Sequence, residues 1–243
     1  DYFNWMTSTL EKLELDQSTA LIAPSFKLQN EAGENEIYWG GNEWREGQNT
    51  ASGEEISSFT VIDSLLKRLS DKNHFPALEQ VVITGHSSGG LFTHVYAAAS
   101  QLGQTSTNLE VKYLVANSQY FYYPSAERIN PTTNELYTPT DCSVYTQWPL
   151  GFNNLPPYLQ GVTVDEVNNQ FVDRSVTYLL GNGNAPDPSL NTSDCDASLL
   201  GDTRFARGEN FYRYMELKYA EEHNHDKSIV EGIGHDGQAM YQS

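Results

Sequence analysis

The sequence predicts an α/β fold, a mostly parallel sheet with helices on both faces. Short apolar runs alternate with stretches of helical period along most of the chain. The runs are apolar throughout rather than at every second residue, which marks strands covered on both sides. A length of 243 residues suits one such domain, spanning 1–243.

The elements follow in order. From Tyr2 to Leu15, Phe3, Met6, Leu10 and Leu13 recur at helical intervals, which predicts an amphipathic helix. Leu21-Ile22-Ala23-Pro24 reads as a short buried strand. Residues 30–57 are rich in Gly, Asn and Glu and carry Trp39 and Trp44, so a long surface loop pinned by two aromatics is expected. Phe59, Ile62, Leu65, Leu66 and Leu69 predict a helix over 56–69, with Ser57 or Ser58 as its cap. Gln80 to Thr84 is a β-branched run that predicts a buried strand, Leu91 to Ala99 an Ala-rich helix, and Val111 to Ala116 a second buried strand. A Tyr- and Pro-rich stretch of weak periodicity, about 119–173, then reads as a lid-like excursion over the sheet. Regular alternation resumes with a strand at Ser175–Leu180, a long helix over Ala197–Glu222 and a last strand at Lys227–Ile233.

Charge and composition exclude several classes of function. Thirty-two acidic against fourteen basic side chains give a net charge of -18, which opposes phosphate backbones and anionic membrane surfaces as partners, so no nucleic acid is expected. Mean hydropathy is -0.54, and no run approaches the roughly 18–20 apolar residues of a membrane span. The opening residues Asp1 to Met6 carry no basic-then-apolar leader, as in a mature or trimmed chain. Two cysteines, Cys142 and Cys195, offer no zinc spacing. Both lie in polar, loop-like segments, which favours a single disulfide and an oxidising compartment, secreted or periplasmic.

Gly85-His86-Ser87-Ser88-Gly89 matches G-x-S-x-G, and Gly90 extends it. The bare pattern arises by accident in about one chain in ten of this length, so its setting decides its weight. Here it joins a strand to a helix, where a sharp turn lifts the Ser87 hydroxyl out of the sheet. A serine hydroxyl attacks a carbonyl only with a base in reach, and that base is expected on the loop after the last strand. His235 stands there, between Gly234 and Asp236-Gly237. His94 falls on the helix after the serine and reads as structural; His74, His223 and His225 read as solvated side chains. The backbone N–H of Ser88 at the helix start is one oxyanion donor.

The third member of the set should be a carboxylate after the strand ending at Leu180. The usual Gly-x-x-Asp spacing instead places Asn184 there, in Gly181-Asn182-Gly183-Asn184. Asp187 lies three residues on, and Asp194 and Asp196 flank Cys195. An amide orients a histidine without stabilising its cation, so chemistry favours Asp187 and spacing favours Asn184.

These features resemble the serine α/β-hydrolase superfamily, and more narrowly a group of poorly characterised, often exported α/β hydrolases. The likeness runs over most of the chain: Ala23 to Phe26, Tyr38-Trp39 with Trp44 and Gly47, Ile56 to Phe59 with Asp63, Gly85 to Gly90, Ala116-Asn117-Ser118 with Tyr120, Cys142 with Trp148 and Tyr158, Cys195, Arg204 with Arg207-Gly208, and Gly234-His235-Asp236. It implies an α/β-hydrolase fold and esterase-like activity. Proteins of this group carry a strand and a His-Gly loop, the source of the second oxyanion donor, just before a segment like Asp1 to Phe3. The resemblance therefore implies a trimmed or partial chain. The group has Asp at the position of Asn184.

The expected function is hydrolysis of small-molecule or polymeric carboxylic esters through an acyl-enzyme, with no metal or organic cofactor. Ser87 attacks, His235 carries the proton, Asp187 or Asn184 holds the imidazole, and Ser88 supplies an oxyanion donor. His86, Tyr120 and Trp148 are candidate substrate contacts. Two rival readings are a catalytically silent scaffold that binds a ligand or partner, and a peptidase or amidase using the same machinery.

Overall fold

The computed structural model describes residues 2–102 and 107–243; Asp1, at the head of the Asp-Tyr-Phe segment, lies outside them. Its elements are α1 (Tyr2–Lys12), α2 (Ser58–Leu69), β1 (Gln80–His86), α3 (Ser88–Ala99), β2 (Glu110–Ala116), β3 (Arg128–Ile129), β4 (Leu136–Tyr137), α4 (Val164–Asp173), β5 (Ser175–Gly181), α5 (Cys195–Ser198), α6 (Arg204–Tyr219), β6 (His225–Val230) and α7 (Gly237–Gln242). The main sheet runs β1-β2-β5-β6 and every pairing in it is parallel. β3 and β4 form a separate antiparallel ribbon.

Strand residues in register point to the same face. Val111, Tyr113 and Val115 of β2 align with Val176 and Tyr178 of β5 on one face, all buried. That face packs α3, α4 and α6, with His94 of α3 meeting Phe171 of α4, Phe211 of α6 and Tyr178 of the sheet. Thr84 belongs to the opposite face, where its hydroxyl meets the Tyr241 hydroxyl of α7 at 2.8 Å. α1 lies beside α7, joined to it by the Thr9 hydroxyl donating to the Tyr241 carbonyl. Helices therefore cover both faces, the thicker layer being the one that buries His94.

Local signals account for the boundaries. Ser57 caps α2 by accepting from the Phe59 N–H, and Thr163 with Glu166 forms a reciprocal capping box at α4. The excursion after β2 is held together from within by Arg128, which is fully buried and, among the described residues, has no carboxylate partner. Its guanidinium donates to the carbonyls of Ser125, Glu127, Tyr145 and Leu150 and lies over the rings of Tyr123 and Tyr145. Asp63 of α2 accepts from the hydroxyls of Tyr96 on α3 and Tyr158 in the excursion, 2.7 Å each. A disulfide joins Cys142 to Cys195, with Cα atoms 5.7 Å apart.

Four expectations are corrected. Leu21–Pro24 forms no strand: Ile22 is half exposed and the segment lies in extended loop. β1 lies at an edge of the sheet rather than inside it, with Val82 51% exposed. A run of β-branched residues specifies a strand but not how many neighbours flank it. The helix expected over 197–222 is broken into α5, α6 and a terminal 3-10 turn, because Gly201 adopts φ 130° and Thr203 starts a new helix by capping it through the Ala206 N–H. The excursion, read as aperiodic, contains the ten-residue α4.

Candidate active site

β1 ends at His86 and α3 begins at Ser88, so Ser87 is the single residue of the turn. Its backbone sits at φ 59°, ψ -114°, a left-handed conformation that costs a non-glycine residue of order 1–3 kcal/mol. The turn is tight enough that a Cβ on Gly85 would lie 2.2 Å from the Gly89 carbonyl oxygen, and one on Gly90 2.6 Å from that of Ala116. These glycines let helix and strands close on each other. The Ser87 N–H donates to the Ala116 carbonyl at 3.0 Å, which fixes the turn to β2. As the first residue of α3, Ser88 has an N–H with no acceptor within its own helix, at the positive end of the helix dipole.

His235 lies on the loop between β6 and α7. Its Nδ1 is 3.2 Å from Oδ1 of Asp187, while its Nε2 is buried and, among the described residues, has no hydrogen-bond partner. Asn184 is exposed and lies outside this contact. Asp194 is also exposed, accepting from the Asn191 amide beside α5.

Three groups hold the Asp187 carboxylate. The Ser189 N–H and hydroxyl donate to Oδ1 at 3.1 and 2.5 Å, and Arg204 Nε donates to Oδ2 at 2.5 Å. Arg204 is buried and also donates to the Asn117 carbonyl at 3.2 Å and the Ser189 hydroxyl at 3.1 Å. Burial would raise the pKa of Asp187, but these bonds and the Arg204 charge override it and bring the group down to about 2. It is ionised throughout the physiological range. His235 is held below its ordinary value, first by burial and then by the Arg204 charge, with Asp187 pulling the other way. The resting imidazole is therefore neutral near pH 7. With Nδ1 donating to Asp187, Nε2 is the free acceptor.

Asn117 ties the loops together. Its Oδ1 accepts from the Gly181 N–H at 2.8 Å, and its Nδ2 donates to the Gly234 carbonyl at 2.9 Å, one residue before His235. The Gly183 N–H donates to the Ile233 carbonyl, linking the loop of the acid to that of the base. On the other side of the imidazole, the His86 ring stacks on His235 at 5.0 Å between centroids, and His86 Nδ1 meets the Tyr2 hydroxyl at 2.9 Å. Burial, then the charges of His235 and Arg204, push His86 down to about 4. A cleft of about 520 Å³ opens along Pro186, Asp187, Pro188, Ile233, His235 and Ala239.

Tyr120 is half-buried with the Arg207 guanidinium over its ring at 5.6 Å. Trp148 is buried, its indole donating to the Glu46 carbonyl and its ring against Tyr122, which puts it in the packing of the excursion.

No protein-family model and no curated protein matches the chain. Among solved structures it is similar to LpqC, a poly(3-hydroxybutyrate) depolymerase from Bordetella parapertussis, with a TM-score of 0.60 and 23% identity over 84% of this chain. It is also similar to poly(aspartic acid) hydrolase-1 from Sphingomonas sp. KT-1, with a TM-score of 0.59 and 20% identity over 82% of this chain. The fold is that of an α/β hydrolase. The chain spans 62% of the first of these structures and 67% of the second.

Within this hydrolase fold, the sequence left three participants without a role. Arg204 and Asn117 stood out only as matched positions, and Tyr2 only as part of a helix. Nothing local marks which acid an arginine on α6 meets; its pairing with Asp187 becomes visible only once α6 is seated beside the loop after β5. His225, read as solvated, is buried. Its Nδ1 accepts from the Tyr178 hydroxyl at 3.0 Å and its Nε2 donates to the Phe171 carbonyl at 2.8 Å. His94 is buried as expected, accepting the Tyr122 N–H at Nε2.

Proposed function

We propose that the protein is a serine hydrolase that cleaves carboxylic esters through an acyl-enzyme intermediate. The observation that carries this reading is the contact of His235 Nδ1 with Asp187, with the ring of His86, the residue before Ser87, stacked on the imidazole and Nε2 left without a hydrogen-bond partner among the described residues. Ser87 Oγ attacks the ester carbonyl as its proton passes to His235 Nε2. Asp187 holds the imidazole and stabilises the cation it becomes; the Ser88 N–H donates to the oxyanion. The imidazolium then protonates the leaving alkoxide, and water, activated by the same base, releases the acid and regenerates Ser87. A water-accessible acyl-enzyme and no metal or organic cofactor complete the scheme.

The substrate class is a small or polymeric ester. Two similar structures bear the names of polymer-degrading hydrolases, which supports including polymers. The net charge of -18 disfavours strongly anionic substrates. His86, stacked on His235, and Tyr120 remain the candidate substrate contacts, whereas the packing of Trp148 supports a structural role. The disulfide supports residence in an oxidising compartment, secreted or periplasmic. Among the described residues, no helix is long and apolar enough to cross a membrane.

The test combines labelling with turnover. A p-nitrophenyl organophosphonate should modify Ser87 in the native protein and leave Ser87→Ala untouched. p-Nitrophenyl esters of graded chain length should be hydrolysed faster than peptide anilides. Absence of labelling at Ser87 would point to a silent scaffold and sink the hydrolase reading; faster cleavage of anilides would replace esterase with amidase.

A further inference from the structure

Asp187 reaches His235 from a loop whose spacing does not obviously deliver it. The residue at the usual offset after β5 is Asn184, which is exposed, and the acid that meets the imidazole comes three positions later, between Pro186 and Pro188. Two prolines stiffen the backbone but direct no side chain. What directs it is Arg204, buried at the first position of α6, which holds Oδ2 through Nε and the Ser189 hydroxyl through a second nitrogen, while Ser189 in turn holds Oδ1. The third anchor of the guanidinium, the Asn117 carbonyl, belongs to the residue whose amide supports Gly234. One planar group thereby references the acid to α6, to the end of β2 and to the loop carrying the base.

We propose that Arg204 is the positioning residue of this site: its fork fixes the Asp187 carboxylate on the His235 ring and so makes the displaced acid usable. It touches no substrate and acts through Asp187. This inference rests on the hydrolase reading for its kinetic consequences but not for its geometry.

The fixed cation has a second effect. The charged or titratable groups around His235 are Asp187 on the β5–α5 loop, Arg204 on α6, His86 on β1, Tyr2 on α1 and Asp236 next in sequence. Of these Arg204 opposes protonation of His235 and Asp187 favours it. Removing Arg204 takes away a repelling charge, while any drift of the loosened carboxylate from the ring acts in the opposite sense. The lost cation is the larger of the two charge effects on the ring, so the pH at which His235 loses its proton rises.

The experiment compares native protein with Arg204→Lys and Arg204→Met. The readouts are the rate of Ser87 labelling by the phosphonate across pH, the titration of the His235 ring proton by NMR, and the melting temperature. Arg204→Met should slow labelling about 10- to 100-fold near neutral pH, the scale of a misplaced catalytic group, and shift both the acid limb and the His235 midpoint upward. Arg204→Lys keeps the charge but loses the two-nitrogen fork, so it should slow labelling while leaving the His235 midpoint near the native one. If Arg204→Met does not fold, the lysine variant decides. Native rates in the lysine variant, or a rate loss in the methionine variant that tracks unfolding with an unmoved midpoint, overturn the proposal. Should native protein fail to label at all, the hydrolase reading falls by itself. The His235 titration still judges Arg204, since it requires no turnover.

Discussion

The imidazoles of His86 and His235 lie nearly parallel, 5.0 Å between centroids and 21° between planes. His86 is the residue before the serine, so the strand that presents the nucleophile also supplies a wall for the base. That wall is uncharged, because burial and the neighbouring His235 and Arg204 hold His86 down to about 4. A neutral ring can face the imidazolium formed during the reaction, whereas a cationic one would repel it. His86→Phe keeps the ring and loses the Tyr2 bond, and should retain kcat within about threefold; His86→Ala removes the wall and should lose about tenfold or more. Steady-state ester hydrolysis checks both, and equal kcat for the alanine variant would sink the idea.

The acid has a sharper test. Asp187→Asn preserves shape but removes the charge that stabilises the His235 cation; the comparable swap in a serine protease costs about 10⁴ in turnover. A loss of that order in kcat is expected here, with KM changed far less. Asn184→Ala alters an exposed side chain away from the contact and should leave kcat unchanged. The reverse pattern in a kinetic comparison would return the role to position 184.

How much of this was legible in the sequence depends on how local each determinant is. The Ser87 turn was readable because the whole apparatus sits within ten residues: a β-branched run, Gly85, the serine and two further glycines. His235 was readable from its place after the last strand. The acid was readable only as a choice between Asp187 and Asn184, since the Arg204 that holds Asp187 lies seventeen residues away on a helix whose start was misread. Gly201 and Thr203 carried the signal for that break, a positive-φ glycine followed by a capping hydroxyl. Thr163 and Glu166 likewise announced α4, and Val164, Val167, Phe171 and Val172 carry its helical spacing, but the weakly periodic aromatic stretch before them masked both. The burial of His225 had no local signal at all; it depends on Tyr178, the residue its strand pairs beside.

Three buried histidines make the fold sensitive to acid. His94 is pushed down to about 3, and His225 and His86 to about 4, in each case chiefly by burial. The unfolded chain protonates them near pH 6.5, the folded one only well below that. Between those values the unfolded state binds more protons, so stability falls as pH drops through this window and is fully present above it. Three such groups set a slope of at most about 4 kcal/mol per pH unit. Urea midpoints measured at about pH 7.5 and about pH 5.5 should differ, the lower pH being weaker, with Tyr178 and Phe171 contacts unchanged. Equal midpoints would contradict this reading of the core.

The disulfide should couple stability to the site. Cys142 lies in the excursion and Cys195 starts α5, directly after the loop that carries Asp187, with a sequence separation of 53. Closing a loop of this length restricts the unfolded chain by about 4 kcal/mol in the entropic model, an upper figure because residual structure reduces it. Paired Cys142→Ser and Cys195→Ser substitutions should therefore lower the unfolding free energy by about 2–4 kcal/mol. They also release the far end of the Asp187 loop, whereas its near end stays held by Arg204 and by the Gly183 bond to Ile233. Since the carboxylate is fixed from the near side, kcat under fully folded conditions should fall only a few-fold, on the scale of a small misplacement. Urea melts read alongside ester turnover separate the two effects. A collapse of kcat in a variant that remains folded would show that the covalent link, rather than the guanidinium, seats the acid.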